Sequence, residues 1–181
     1  MIIGITGKIA SGKDTVANYL QEKLKGVRLG FSDALAETLA IYDLPVTREN
    51  LQKLSTILRQ NFSEDILAKA MAKKASESGD RAVIIDGVRR NTDIDNFKSQ
   101  PDFYLIFVET SLEIRYQRYI QRGRGAGDKE MSLAEFTDKD NAESEKQIGG
   151  LKDQAQYVVG NNGTLEELYH QLENIIKKIK K

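Results

Sequence analysis

The sequence predicts an α/β protein with three layers, in which a five-stranded parallel sheet lies between helices on both faces. The first observation is a set of short apolar runs rich in β-branched residues, a pattern typical of strands buried on both sides. The second is that segments with apolar residues at helical spacing separate these runs. The predicted strands are residues 1–6, 27–31, 82–85, 103–108 and 157–159.

The composition indicates one buried core. With 181 residues, of which 40% are hydrophobic, the chain is too short for two domains of typical size, so we expect a single domain over residues 1–181. The 27 basic and 27 acidic residues give a formal net charge of zero, which implies no overall attraction to nucleic acid or to an anionic membrane. The sequence has no cysteine and no apolar run of about 18 residues. We therefore expect a cytoplasmic protein with neither kind of partner.

Helical patterns fill the intervals between the predicted strands. The segments before the fourth strand are residues 11–25, 33–42, 47–62, 63–76 and 92–98. Gly26 stands where the first helix would stop, since glycine readily takes the conformation that closes many helices. Ser63 is the predicted cap of the fourth segment, with acidic residues in the first turn behind it. The consecutive helices between the second and third strands form a predicted side lobe.

Three later helices begin at predicted capping boxes, in which Ser or Thr is followed three residues later by Glu. These boxes are residues 110–113, 132–135 and 164–167. The second box opens an acidic helix that is expected to end near Gly149 and Gly150. Before that box, the glycine-rich stretch 123–127 has no apolar periodicity, which predicts a flexible hinge at the entry to a lid.

A glycine-rich turn between the first strand and the first helix carries the clearest chemical signal. Such a turn points backbone N–H groups and the positive helix end at one spot, which suits phosphate. Gly7, Gly12 and Lys13 match the spacing of the P-loop pattern, and Lys13 would neutralise the β- and γ-phosphates of a nucleotide. Asp14 stands where a hydroxyl usually meets magnesium, with a hydroxyl only at Thr15. A carboxylate is a hard oxygen ligand, so Asp14 is a predicted ligand of Mg²⁺.

Asp86 is the second predicted metal residue. It follows the apolar run 82–85, and P-loop enzymes use an acidic residue at a strand end to hold the magnesium. The alternative is an ordinary turn, because Asp86 is followed by Gly87 and Asp-Gly is a common turn signal.

These segments, in their order and spacing, resemble the small P-loop kinases, a family that includes nucleoside monophosphate kinases, dephospho-coenzyme A kinases and archaeal-type adenylate-kinase-related proteins. Beside the glycine loop, the similar segments are residues 54–59, 86–90, 118–124 and 161–164. The resemblance runs along nearly the whole chain. It implies a P-loop NTPase fold, ATP with Mg²⁺, an acceptor-binding lobe over about residues 34–78, and a lid over about residues 123–150.

The resemblance also implies roles for individual residues. The ATP site would comprise Gly7, Lys8, Ile9, Ala10, Ser11, Gly12, Lys13, Asp14, Thr15, Arg118, Asn161 and Gly163. Asn161 to Gly163 would contact the adenine edge by backbone. The alternative is simply the loop before the Thr164 cap, and the two interpretations are compatible. Arg118 and Arg122 would act with Lys13 in catalysis by stabilising charge on the phosphates. A surface stripe that pairs with Glu113 is the alternative for these two arginines.

The acceptor site would comprise Asp33, Arg59, Arg89 and Arg90. The arginines would grip the phosphate of the acceptor, since their fork of donors matches phosphate oxygens. Arg59 could instead be a solvated helix arginine. Asp33 could accept a proton from an attacking hydroxyl, which would make it catalytic, or it could cap the following helix.

Three classes of function remain from the sequence. The first is an ATP-dependent kinase of a small nucleotide acceptor, a nucleoside or deoxynucleoside monophosphate, with dephospho-coenzyme A as the alternative acceptor. The second is a nucleotide switch or ATPase, which the absence of an Asn-Lys-x-Asp segment disfavours. The third is a binding module without catalysis, for which Asp14 is the main argument. His170, the only histidine, has no evident catalytic partner. Base preference and oligomeric state are not readable from the pattern.

Overall fold

The computed structural model describes residues 1–79, 81–98, 100–123, 125, 127–141 and 143–180, and within 143–146 the backbone alone. A five-stranded, all-parallel sheet forms the centre, in the order β2-β3-β1-β4-β5. Its strands are β1 Ile2–Thr6, β2 Val27–Gly30, β3 Val83–Val88, β4 Phe103–Glu109 and β5 Tyr157–Gly160. The predicted fold class is confirmed.

Helices connect the strands. Their bounds are α1 Lys13–Leu24, α2 Phe31–Ile41, α3 Arg48–Asn61, α4 Ile66–Ser76, α5 Asn91–Ile94, α6 Leu112–Arg122, α7 Leu133–Asp140, α8 Glu143–Leu151 and α9 Leu165–Ile179. The α2–α4 helices form one excursion between β2 and β3, as the sequence predicts. In the described part of the chain, no helix combines the length and the apolar character that crossing a bilayer requires.

The two faces of the sheet bury separate apolar clusters. Ile3 and Ile5 of β1 pack with residues of α1 and α9, among them Leu20 and Leu172. Alternate strand residues, such as Ile85 of β3, pack on the other face with α2 and α4. This follows from the strand geometry, because successive side chains point to opposite faces. Each fully buried aliphatic side chain contributes about 1.5–3 kcal/mol, so both helical layers are held firmly to the sheet.

The third strand is longer than predicted. It continues beyond Asp86 through Gly87, whose φ is 84°, to Val88. The pairing with β1 shifts register between Ile5 and Thr6, and the Thr6 hydroxyl donates to the Val88 carbonyl at 2.9 Å. Asp86 therefore lies within the strand, and the prediction that the strand ends there is wrong.

The end of α1 also differs in detail from the prediction. The left-handed residue is Lys25, with φ 51°, and not Gly26. The Gly26 amide donates to Gln21 at 3.0 Å. A Cβ on Gly26 would overlap the Ala82 carbonyl oxygen, so this glycine is required by close approach of the backbone and not by its own φ.

Two helices begin later in the chain than the sequence predicts. The fourth helix begins at Ile66, and the Ser63 side chain hydrogen-bonds to the Asp65 side chain instead of capping the helix. That bond, with a further one from Lys69, lowers the pKa of Asp65 to about 2. The box at 110–113 is displaced by one residue: Ser111 caps α6 through the Ile114 amide.

The other two capping boxes are confirmed, at Ser132 and at Thr164. The prediction of one helix from Ser132 to the double glycine is wrong. The structure has two helices there, α7 and α8, and both Gly149 and Gly150 lie inside α8.

Candidate active site

The candidate site lies at the carboxyl edge of the sheet, where the ends of parallel strands meet. The glycine loop 7–12 follows β1, Asp86 lies near the end of β3, Thr110 follows β4, and Asn161 follows β5. Residues from four strands or strand ends therefore converge on the start of α1.

The loop backbone requires glycine at two positions. Gly7 has φ 150°, and a Cβ there would lie 2.6 Å from the Val108 carbonyl oxygen. Gly12 has φ 98°, and a Cβ there would overlap Asn161 Nδ2. Ala10 is a buried non-glycine residue with φ 61°, a conformation that costs about 1–2 kcal/mol. Backbone strain of this kind is typical of functional loops.

Side chains from neighbouring elements fasten the loop. The Ser11 carbonyl accepts from Thr110 Oγ1 at 2.9 Å and from Asn161 Nδ2 at 2.8 Å. Lys13 Nζ donates to the carbonyls of Gly7 at 2.6 Å and Lys8 at 2.8 Å. Within the described residues, the buried Ser11 Oγ has no hydrogen-bond partner. The Asn161 side chain thus holds the loop, while its predicted backbone contact to adenine stays a prediction.

Asp14 and Asp86 are brought together by a residue that sequence reasoning missed, Arg28 of β2. Arg28 Nη2 donates to Asp14 Oδ1 at 2.7 Å and also to Asp86 Oδ2, and Nη1 donates to Asn18 Oδ1 at 2.7 Å. Burial would lower the pKa of Arg28, but the hydrogen bonds to the two carboxylates outweigh this and raise it. The two predicted metal residues therefore converge on one nitrogen atom.

Arg118 reaches the glycine loop from α6. Its Nη2 lies 3.5 Å from Asn161 Oδ1, and its Nη1 lies 3.8 Å from the place that a Cβ on Gly12 would take. Nη1 is buried and has no hydrogen-bond partner among the described residues. Burial, reinforced by repulsion from Arg122, lowers the pKa of Arg118. Arg122 itself is exposed one turn further along the helix.

The predicted acceptor arginines surround Asp93, which the sequence reasoning also missed. Arg59 is buried, pairs with Asp93 Oδ1 at 2.7 Å and donates to the Glu64 carbonyl. The backbone amides of Arg89 and Arg90 both donate to Asp93 Oδ2 at 3.0 Å. Arg59 is therefore a fixed internal arginine and not a solvated one. It holds, through Asp93, the bend that presents Arg89 and Arg90.

Asp33 lies at the start of α2. Its side chain is exposed and accepts from the Gly30 amide at 3.0 Å. Asp33 therefore has the geometry of a helix-capping residue, which the sequence analysis gave as the alternative to a catalytic base. At the other end of the site, Gly163 lies in the exposed turn before α9, where the Thr164 amide donates to Glu167 at 2.9 Å.

A buried ion-pair network ties α7 to the glycine loop. Asp140 accepts from Arg115 at 2.5 and 2.9 Å and from Lys8 Nζ at 2.8 Å. Arg115, which is 3% exposed, also donates to the Ile9 carbonyl at 3.3 Å. Although burial would raise the pKa of Asp140, the hydrogen bonds from Arg115 and Lys8 lower it. Arg115 lies on α6 one turn before Arg118, but its guanidinium is paired with Asp140, whereas Arg118 Nη1 has no hydrogen-bond partner among the described residues.

A second network organises the start of the predicted lid. Asp128 is buried and accepts from the Tyr119 hydroxyl and, at 2.7 Å, from the Gly125 amide. Lys139 Nζ lies 3.8 Å from Asp128 and donates to the Tyr119 hydroxyl. The hydrogen bond from Tyr119 is the main cause of a lowered pKa at Asp128. Arg124 and Ala126, which belong to the predicted hinge, lie outside the described residues.

The strand order, the strained glycine loop and its lysine define a P-loop protein with a kinase-like α/β fold. A family model described as "AAA domain" matches residues 3–146. The "UPF0200 protein" of Thermococcus onnurineus is 30% identical and covers 99% of this chain and 98% of its own length. The "UPF0200 protein" of Sulfurisphaera tokodaii is 31% identical over 98% of this chain and 97% of its own. The chain belongs to the UPF0200 family and matches the AAA-domain model over most of its length.

Solved structures agree with the fold. The protein TT1252 from Thermus thermophilus aligns over 98% of this chain and 97% of its own, with a TM-score of 0.62 and 21% identity. A shikimate kinase from Bacteroides thetaiotaomicron aligns over 100% and 99%, with a TM-score of 0.62 and 12% identity. At such identities the likeness concerns the fold, and the reaction has to be argued from the site.

Proposed function

We propose that this protein is an ATP-dependent kinase that transfers a phosphoryl group to a small nucleotide, a nucleoside or deoxynucleoside monophosphate. One observation carries the proposal: the glycine loop, Lys13, the Asp14–Asp86 pair and Arg118 lie together at one edge of the sheet. Phosphoryl transfer requires positioning and neutralisation of charge more than covalent chemistry. This collection of groups supplies both.

The loop fits the phosphates of ATP. Gly7 and Gly12 leave no room for a Cβ, and the loop leads into the N-terminus of α1, where backbone N–H groups and the helix dipole favour an anion. Lys8 Nζ is paired with the carboxylate of Asp140 at 2.8 Å, whereas Lys13 Nζ donates to the neutral carbonyls of Gly7 and Lys8. Lys13 is therefore the loop lysine that we assign to the phosphates. The buried Ser11 hydroxyl is a further donor beside this cradle.

The Asp14–Asp86 pair fits Mg²⁺, because two carboxylate oxygens approach one point and carboxylates are ligands that magnesium accepts. Among the described residues, no group of three or more His, Cys, Asp or Glu side chains is arranged to hold a metal. The pair would therefore share the ion with phosphate oxygens and water. When bound, magnesium neutralises charge on the phosphates.

The arginines of α6 would stabilise the charge that develops during transfer. Arg118 is the better placed, since it already contacts the loop through Asn161. Arg122 lies four residues further on the same helix and would join it from the exposed side. The predicted lid would exclude water that otherwise hydrolyses ATP.

The acceptor side favours a phosphate as the attacking group. Arg89 and Arg90 follow β3 on a bend fixed by Asp93 and would bind the acceptor's phosphate. A ribose hydroxyl, as in dephospho-coenzyme A, is a poor nucleophile at neutral pH and needs a base. Asp33, the predicted base, instead accepts a hydrogen bond from the Gly30 amide. This geometry supports a monophosphate acceptor over dephospho-coenzyme A.

A coupled ADP-release assay tests the proposal. The acceptors are ribonucleoside and deoxyribonucleoside monophosphates, dephospho-coenzyme A and a blank without acceptor. We expect magnesium-dependent turnover with at least one monophosphate and a low rate in the blank. Equal turnover with and without acceptor would identify an ATPase, and activity restricted to dephospho-coenzyme A would overturn the acceptor assignment.

A matched pair of variants ties the activity to the loop. Lys13→Met should lower kcat about 10²–10³-fold, the loss typical when one charge-stabilising donor is removed. Lys23→Met removes the same charge from the far part of α1, where Lys23 pairs with Glu173 at 3.7 Å, and should leave kcat within about twofold. Similar losses in both variants would show that the effect is not specific to the loop.

A further inference from the structure

Arg28 holds both carboxylates of the predicted metal site with a single nitrogen. Nη2 donates to Asp14 Oδ1 at 2.7 Å and to Asp86 Oδ2, while Nη1 is anchored on Asn18 Oδ1 at 2.7 Å. The Arg28 side chain is 25% exposed, and that of Asp86 is 16% exposed. These contacts are specific: the guanidinium is fixed at three points on two elements, α1 and β3.

The fold places Arg28 there. Strand β2 pairs with β3 so that Gly30 is level with Asp86, and Asn18 lies one turn after Asp14 on α1, on the same face of that helix. The arginine therefore enters the space between strand and helix from the edge of the sheet. An arginine keeps its proton under all ordinary conditions, so its positive charge can be displaced from the carboxylates but not titrated away.

We propose that Arg28 is a built-in counter-ion that prevents the Asp14–Asp86 pair from binding a bare divalent cation, so that the pair accepts the metal only together with nucleotide phosphates. This inference rests on the proposed function, which makes the pair a metal site. Arg28 is a positioning residue under this proposal, because it acts on the carboxylates and not on the reacting atoms.

The physical argument has two parts. The guanidinium occupies lone pairs of the carboxylates that a metal would need, and it repels a dication placed beside it. A triphosphate changes the balance, since it adds negative charges and further oxygen ligands, which a hard cation prefers. Arg28 can then leave the carboxylates while Nη1 remains on Asn18. Arg28 would thereby keep a metal ion from occupying the site in the absence of nucleotide.

Binding of Mn²⁺ to the full-length protein without nucleotide is the test, followed by electron paramagnetic resonance at low ionic strength. Arg28→Gln should bind Mn²⁺ at least about tenfold more tightly than the wild type, since even in water-like dielectric a unit charge near a dication has about this effect. Arg81→Gln is the matched control. It removes the same charge at an exposed position two residues before β3, away from Asp86, and should bind as the wild type does.

A second variant locates the added metal. When Arg28→Gln is combined with Asp14→Asn, the gain in Mn²⁺ affinity should disappear. Circular dichroism is used to check that each variant is folded. With saturating ATP, the difference between wild type and Arg28→Gln should shrink, because the phosphates then supply the missing charge. Unchanged or weaker Mn²⁺ binding in folded Arg28→Gln would overturn the inference.

The metal measurement is independent of transfer. If the ADP-release assay finds no kinase activity while Arg28→Gln gains Mn²⁺ affinity, the counter-ion role stands and the reaction assignment fails. If transfer is found and Mn²⁺ binding does not respond to Arg28, only the counter-ion role fails.

Discussion

Gly12 shows at the scale of one residue how closely the loop is packed. Its φ is 98°, and a Cβ would overlap Asn161 Nδ2, the side chain that holds the Ser11 carbonyl. We predict that Gly12→Ala weakens ATP binding at least tenfold and lowers the free energy of unfolding by about 1–3 kcal/mol, the range for a strained backbone. Calorimetric titration with ATP and urea unfolding measure the two effects.

Gly149→Ala is the matched control for that substitution. Gly149 lies inside α8, and a Cβ there would meet nothing within 4 Å. Alanine should stabilise this helix by about 0.5–1 kcal/mol and leave ATP binding unchanged. If both variants weaken binding alike, the effect does not come from the Gly12–Asn161 contact.

The sequence was informative where function depends on a local pattern and silent where it depends on distant partners. The Gly7–Lys13 spacing lies within seven residues and could be recognised directly. Arg28 could not, because its carboxylate partners lie 14 and 58 residues away and an arginine on a short strand has the pattern of a solvated one. The site roles themselves, including those of Arg89 and Arg90, stay predictions until activity is measured.

At the scale of elements, α7 is docked by one buried carboxylate. Asp140 joins Arg115 of α6 and Lys8 of the loop, and Phe136 of the same helix is fully buried against Tyr119. The first helix of the predicted lid is thus part of the wall behind the glycine loop. A substitution at Asp140 should therefore loosen the contacts among α6, α7 and the glycine loop.

We predict that Asp140→Asn lowers the free energy of unfolding by about 3–5 kcal/mol, because it leaves the buried Arg115 without a compensating charge. Urea unfolding followed by circular dichroism measures this loss. Asp138→Asn is the control, since Asp138 is exposed on the same helix and its loss should cost less than about 0.5 kcal/mol. Equal costs would show that the Asp140 network does not hold α7.

Capping boxes explain which element boundaries were predictable. A box such as Ser132–Glu135 is complete within one turn, so the sequence alone locates the start of the helix. The break between α7 and α8 has no such signal. The two helices separate because they pack on different clusters: Phe136 packs with Tyr119, whereas Leu151 packs on the cluster around Ile85.

At the scale of the whole molecule, two buried carboxylates make stability depend on pH. The pKa of Asp128 is lowered chiefly by the hydrogen bond from Tyr119, and that of Asp140 is lowered because its bonds to Arg115 and Lys8 outweigh burial. In the unfolded chain the pKa of both carboxyl groups would be about 3.9. A group with a lowered folded pKa stabilises the protein fully above its unfolded pKa, and this contribution is lost as the pH falls through the folded pKa.

We therefore predict that the free energy of unfolding is steady at pH 5–7 and decreases as the pH is lowered below about 4. The decrease should be smaller in Asp140→Asn than in the wild type, because one of the responsible groups is gone. Urea unfolding at several pH values between 5 and 3 provides the comparison. A decrease of the same size in both proteins would assign the acid sensitivity to other groups.

The fold class followed from the alternation of strands and helices, because each βα unit leaves a local pattern in the sequence. The order of the strands did not, since it depends on pairings such as that of β1 with β3, about 80 residues apart in the chain. The continuation of β3 beyond Asp86 was missed for the same reason. That continuation pairs Val88 with Thr6, whose hydroxyl also donates to the Val88 carbonyl.

Strand β2 forms one border of the sheet, and among the residues that the structure describes its four residues pair only with β3. The unpaired N–H and C=O groups of an edge strand can pair with a strand of another molecule. Short edge strands and inward-pointing charged side chains make such pairing less favourable. Arg28 is such a charge at the middle of this border. We therefore expect the guanidinium that holds Asp14 and Asp86 also to disfavour pairing of β2 with a strand of another molecule. An apolar side chain at this position would remove that protection together with the proposed barrier to bare metal.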